Sequence, residues 1–220
     1  MFLGHIGVGL GTKSAFPRIS LGTLLLASLF IDLLWPSLLL LGFEQVEIEP
    51  GNTLLTPLKF TEYPISHSLL GVLIWACLFG TLFFVLRRRL KEAVICGIVV
   101  LSHWFLDLLV HGPDLQLVPG ISLRVGLGLW NSLPATLVAE LSIFVIGTGL
   151  YCYRTKPVGR TGSIGFRIMI LLLLVIFLGN TFGDPPPSPR AIAWFGQAQW
   201  LIVIWGYWIE KRRELRWLYN

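Results

Sequence analysis

His103, Asp107 and His111 are spaced i, i+4 and i+8 in this 220-residue sequence. On a helix, i and i+4 stack on one face, and i+8 drifts about 80° further round, still within reach. A histidine and a carboxylate one turn apart can hold one divalent cation, or two adjacent ones. Imidazole with carboxylate suits Zn, Mn or Fe. Two further patterns pair a histidine with a hydroxyl or an acid: Ser66-His67-Ser68 and His111-x-x-Asp114. The fourth histidine, His5, opens the chain, while Asp32 and Glu140 each interrupt an apolar run. Cys77, Cys96 and Cys152 match no zinc or redox spacing. They read as small hydrophobes, which argues against a Cys-type structural zinc site.

The segments that must position these groups are unusually apolar. Hydrophobic residues make up 55% of the chain and charged ones 13%, against roughly 25% charged in a soluble domain. Mean hydropathy is +0.75. A soluble enzyme, a nucleic-acid-binding domain and a disordered tail are excluded as the main reading. The expectation is one integral membrane domain, residues 1–220: an all-α, polytopic helix bundle of about six transmembrane helices plus a short N-terminal membrane-embedded helix. A span needs about 20 mostly apolar residues. The candidate runs are Leu21–Leu41, Ser68–Leu86, Ala93–Val110, Leu133–Tyr153, Ile164–Gly183 and Ala191–Ile209. Phe2–Phe16 is too short to span easily and is stopped by Pro17, so it is expected to be buried by protein rather than lipid.

Orientation follows from Lys and Arg. Grouping the N-terminal link, the 87–92 loop, the 154–167 loop and the C-terminus collects 14 of the 17 on one side. The other side keeps Lys59, Arg124 and Arg190. The positive-inside rule makes the rich side, with both termini, cytoplasmic. Two long outer loops remain, residues 42–66 and 112–132, without clear helices or strands. Loops of that kind are often functional or cover a site.

Ionisable groups near the centre of a span cost about 2.5–3.5 kcal/mol each and mark functional sites by default. Asp32, His103, Asp107 and Glu140 all lie inside spans. At about 1.5 Å per residue, His103 and Glu140 lie roughly 10 Å below the outer boundary and Asp32 roughly 14 Å below it. His67 and His111 sit at the outer mouths of their spans, and His5 reaches the same level along its own helix. Any one of these is readily explained as a hydrogen bond between helices; all of them on one level is better explained by a shared pocket. Asn180, Gln197 and Gln199 read as packing amides, and the nine tryptophans as interface belts and bundle packing.

The order of the strings is informative: Gly4-His5-Ile6-Gly7-Val8-Gly9, Asp32-Leu33-Leu34-Trp35, Ser66-His67-Ser68-Leu69, then His103-Trp104-Phe105-Leu106-Asp107. Over residues 4–114 it resembles the bacterial family of inner-membrane metal-dependent hydrolases of the LexA-regulated type. That family is distantly similar to zinc-dependent phospholipase C and the P1-type nucleases, in which His and Asp from several helices hold metals that hydrolyse phosphate esters. The resemblance implies His5, Asp32, His67, His103 and Asp107 as metal ligands, with His111 and Asp114 completing or supporting the site. The N-terminal Trp ligand and the second His-x-x-x-Glu pair of the soluble enzymes are missing, which implies one or two ions, zinc first, rather than three.

Three functions are compatible with these residues. The first is a membrane-embedded metal-dependent hydrolase acting on a phosphate ester or phospholipid-like amphiphile, with Glu140 or Asp114 as general base. The second is a permease or ion transporter, for which the almost wholly apolar inner halves of the spans offer no through-path. The third is a non-catalytic scaffold whose polar residues only bind helices together. Membrane lipid is the expected partner and nucleic acid is not; oligomeric state is not legible.

Overall fold

In a computed structural model that describes residues 1–216, the apolar runs are helical. In chain order the helices are α1 (Phe2–Ala15), α2 (Leu21–Ser28), α3 (Phe30–Leu40), α4 (Pro64–His67), α5 (Leu69–Arg87), α6 (Leu90–Val110), α7 (Leu133–Arg154), α8 (Gly159–Phe182), α9 (Pro189–Gln197) and α10 (Gln199–Glu210). Among the described residues, α5, α6, α7 and α8 are long and apolar enough to cross a membrane. The α2–α3 pair makes a fifth if its two halves, bent by 54°, count as one span.

Four to five spans therefore replace the six expected. The difference lies in Ala191–Ile209. It is not one helix: the break at Ala198, between Gln197 and Gln199, leaves pieces of 9 and 12 residues. These lie antiparallel along the bent pair, α9 on α3 and α10 on α2. The contact is tight where a Cβ on Gly196 would overlap the Pro36 ring. Gln197 donates to Ser37 Oγ at 2.8 Å, the packing role read from sequence.

Helix α1 is sheathed by protein, as its length required. Leu3, Ile6 and Leu10 are fully buried. It lies so close to α7 that a Cβ on Gly147 would overlap the Gly7 carbonyl; small residues permit that approach between membrane helices. Its buried neighbours include Phe144 and Tyr151 of α7 and Phe166, Met169 and Leu173 of α8. A second core joins α2, α5 and α6 around Leu24, Val72, Cys96 and Val100.

The two long loops are more ordered than expected. Residues 42–66 contain an antiparallel hairpin, β1 (Gln45–Ile48) with β2 (Leu58–Glu62), in which Val46 faces Phe60. Residues 112–132 contain a two-residue ladder, β3 (Leu115–Gln116) with β4 (Arg124–Val125), and a 3-10 turn at Leu129–Asn131. At the opposite end, β5 (Thr155–Pro157) pairs with β6 (Arg213–Leu215). Lys13 Nζ donates to Glu210 Oε1 at 2.7 Å, and Lys91 lies over the Phe16 ring. These contacts gather all four basic segments at one end of the bundle.

Candidate metal centre

Four elements deliver five side chains to one point. His5 comes from the first turns of α1, Asp32 from the first turn of α3, His67 from the end of α4, and His103 and Asp107 from one face of α6. Asp107 is the hub. His5 Nε2 lies 3.1 Å from its Oδ1, His103 Nε2 3.1 Å from its Oδ2, and His67 Nε2 3.7 Å from Oδ2. Asp32 closes the ring, with Oδ1 3.6 Å from His103 Nε2 and Oδ2 3.9 Å from His5 Nε2. The His5 and His103 rings stack at 3.7 Å, nearly parallel. Two sets have ligand atoms all within 4.8 Å of one another: His5, His103 and Asp107; and Asp32, His67 and His103. They share His103 and so form one cluster.

Local structure explains each approach. The chain breaks at Leu29, between α2 and α3. At the end of α2 the Ser28 carbonyl accepts from His103 Nδ1 at 3.1 Å. That bond assigns the ring proton to Nδ1 and turns the Nε2 lone pair into the cluster, the arrangement a metal-binding imidazole needs. Pro64 starts the short helix that ends at His67, and Ser68 then caps α5 by accepting from the Gly71 amide at 3.0 Å. The tight double turn leaves His67 little freedom.

His67 is also held from behind. Glu44, buried at the foot of the hairpin, accepts from the Ile65 and Ser66 amides at 2.8 Å each. Its other oxygen accepts from Ser66 Oγ at 2.6 Å. With that hydroxyl proton spent on Glu44, Ser66 Oγ is left to accept from His67 Nδ1, also 2.6 Å away. The second imidazole thus points its Nε2 lone pair at the same centre. Burial pushes the Glu44 carboxyl up, against the pull of the Ser66 hydroxyl and the two amides. Burial likewise pushes the His67 imidazole well below its ordinary range, despite the Asp107 charge. A neutral imidazole is the form that binds a metal.

The other site candidates lie around this cluster. His111 is buried near it; its Nδ1 is 3.0 Å from Asp114 Oδ1, and its ring packs 4.2 Å from Trp130 and 4.9 Å from Phe60. Glu140 Oε2 accepts from the Leu3 amide at 2.8 Å and, at 3.4 Å, from that of Gly4, so it binds the N-terminus of α1. The Met1 amino group lies 2.7 Å from Asp107 Oδ1. Asp32, His67, Asp107, His111 and Glu140 all line one cavity of about 1560 Å³. Asp32 is the most accessible member of the cluster, its side chain 22% exposed against 5% or less for the others. The cluster therefore opens on the Asp32 side.

No protein-family model, curated protein or solved structure matches the chain. What stands is a helical protein with four to five apolar helices and buried His/Asp clusters. The donor set suits a divalent cation. His103 Nε2 is buried and makes no hydrogen bond, although a carboxylate oxygen is near; the His5 Nδ1 is buried without a partner. Two carboxylates around a buried imidazole favour positive charge between them; the Met1 ammonium meets Asp107 Oδ1 at 2.7 Å, and a divalent cation would meet both acids.

Sequence reasoning missed Glu44 and the part played by Ser66 and the Ser28 carbonyl. Glu44 lies in the first outer loop, one of four acids there with Glu47, Glu49 and Glu62. Twenty-two residues separate it from Ser66, and no spacing rule links positions across a hairpin. The Phe60, Tyr63 and Trp130 collar around His111 gave no periodic signal either.

Proposed function

We propose that this protein is a membrane-embedded, metal-dependent hydrolase of phosphate esters, as the resemblance of residues 4–114 to the inner-membrane hydrolase family implied. The single observation that carries the reading is the convergence of His5, Asp32, His67, His103 and Asp107 from four elements onto one buried point beside a cavity. In this reading they hold one or two divalent cations, zinc first. A cation there supplies a Lewis acid that polarises a phosphoryl oxygen and acidifies water.

The chain's own residues do the rest. Asp107 and Asp32 balance the cation's charge, and the Ser28 and Ser66–Glu44 contacts hold the imidazoles in register. Glu140 spends Oε2 on the α1 amides, which leaves Oε1 free to take a proton as general base. Asp114, bonded to His111, is the alternative base. Phe60, Tyr63 and Trp130 keep bulk water from the His111 side. The basic end of the bundle is proposed to face the cytoplasm of a bacterial inner membrane, so the His/Asp cluster serves the outer half of the bilayer.

The test uses the purified chain in detergent with bis(p-nitrophenyl) phosphate. Phosphate-ester cleavage that a chelator abolishes and zinc restores is expected, with Glu140→Gln and Asp114→Asn separating the two candidate bases. No cleavage by the metal-loaded protein of this ester or of long-chain phosphate lipids would remove the enzymatic reading.

A further inference from the structure

The cavity does not end at the cluster. Its lining runs from Asp32, His67 and Asp107 down between α8 and α10 to Arg160 and Trp208 at the basic end. On α8, Ile164, Ile168, Leu172 and Ile176 line it. They recur every fourth residue and so form one stripe. A neighbouring face of that helix, Phe166, Met169 and Leu173, is buried in the core, and Phe177 closes the cavity wall near its head. Leu201, Ile204 and Trp205 of α10 form the facing wall. The walls are greasy yet open: Ile168 is 50% exposed, Leu172 42% and Ile204 60%. The helices close together at the inner end, where a Cβ on Gly165 would overlap the Trp208 ring. The cleft is therefore open toward lipid, blocked at its foot, and continuous with the polar cluster at its head.

Resting on the hydrolase reading, we propose that the substrate is a phosphate-ester lipid whose headgroup sits at the cluster and whose long hydrocarbon tail lies in this cleft. Two features fix the tail. From Ile164 to Asn180 the lined path is sixteen residues long, about 24 Å at the helical rise. That is more than the roughly 15 Å of hydrocarbon in one leaflet. It matches an extended chain of about twenty carbons, at about 1.25 Å of advance per C–C bond. The cavity also exceeds the ~300–1,000 Å³ of an ordinary small-molecule pocket. Charge fixes the polarity. At the head the Met1 ammonium lines the cavity beside Asp107, and a cation held by the His/Asp cluster would add to it, whereas Arg160, the sole Lys or Arg among the lining residues, lies at the far end, where the walls beside it are apolar and suit the tail. Lateral entry between α8 and α10 lets the lipid slide in from the bilayer without leaving it.

The test is photolabelling of the full chain in detergent by two alkyl phosphate monoesters, each with a terminal diazirine, one with eighteen carbons and one with six. The long probe is expected to label the inner halves of α8 and α10, and the short probe residues around Trp130 and Phe177. Leu172→Trp and Ile204→Trp, both at half-open positions where the larger ring does not enter the core, are expected to reduce long-probe labelling at least tenfold. Metal content and short-probe labelling should stay unchanged. Labelling needs no turnover, so the two readings fail separately. Cleft labelling with no cleavage of bis(p-nitrophenyl) phosphate or of long-chain phosphate lipids leaves the lipid site standing and removes the hydrolase. Cleavage of the short ester with long-probe label spread over the lipid-facing side of α5 removes the lipid site. Failure of both tryptophans to reduce long-probe labelling also overturns it.

Discussion

At the scale of single residues, the cluster depends on groups that never touch its centre. Glu44 acts on His67 only through Ser66, by two contacts of 2.6 Å. Loss of such an outer partner typically weakens a metal site 10–100-fold. Glu44→Gln is therefore expected to lower zinc affinity by about one to two orders of magnitude, read by competition with a chromogenic chelator, while the helical circular dichroism is unchanged. Ser66→Ala should cost about the same, and the double variant little more than either single one, because residues in one network are not additive. Wild-type affinity in both single variants would show that His67 needs no support from behind.

Among elements, the approach of α1 to α7 decides whether His5 reaches the cluster. Gly7 and Gly147 meet backbone to backbone, and Glu140 fastens the start of α1 to α7. Gly147→Val is expected to destabilise the protein by about 1–3 kcal/mol through overpacking. It should also push α1 away, so that zinc affinity falls even though no ligand has changed. Thermal unfolding and zinc titration of the same sample check both halves; lower stability with full affinity would mean that His5 is dispensable. Much of this level was legible in the sequence. The short, Pro-terminated first run had to be sheathed, and the i, i+4 pair on α6 had to share a face. The breaks at Leu29 and Ala198 were not legible, since the apolar run continues through the first and Gln197 and Gln199 at the second read as packing amides rather than a helix end. Those two breaks are why the expected six spans are four or five. The first also supplies the Ser28 carbonyl to His103. Glu44 was invisible because a hairpin, not a helical repeat, brings it home.

For the whole molecule, the contacts that collect the basic segments at one end give the positive-inside argument a structural basis. Lys13 with Glu210, Lys91 on Phe16, and β5 with β6 all lie there. In a cysteine-free background, Glu47→Cys in the hairpin is expected to react with an impermeant maleimide on intact cells. Val158→Cys should react only after the membrane is opened. The reverse pattern would invert the orientation and put the cleft's polar head on the cytoplasmic side. Metal analysis of the purified chain tests most directly whether the five side chains share a cation. After purification without chelators and reloading with zinc, the wild type is expected to hold about one to two equivalents of divalent metal. His103→Ala and Asp107→Ala, folded by circular dichroism, should hold almost none. Equal, sub-stoichiometric metal in all three proteins would contradict the account and leave the cluster as hydrogen bonds between helices.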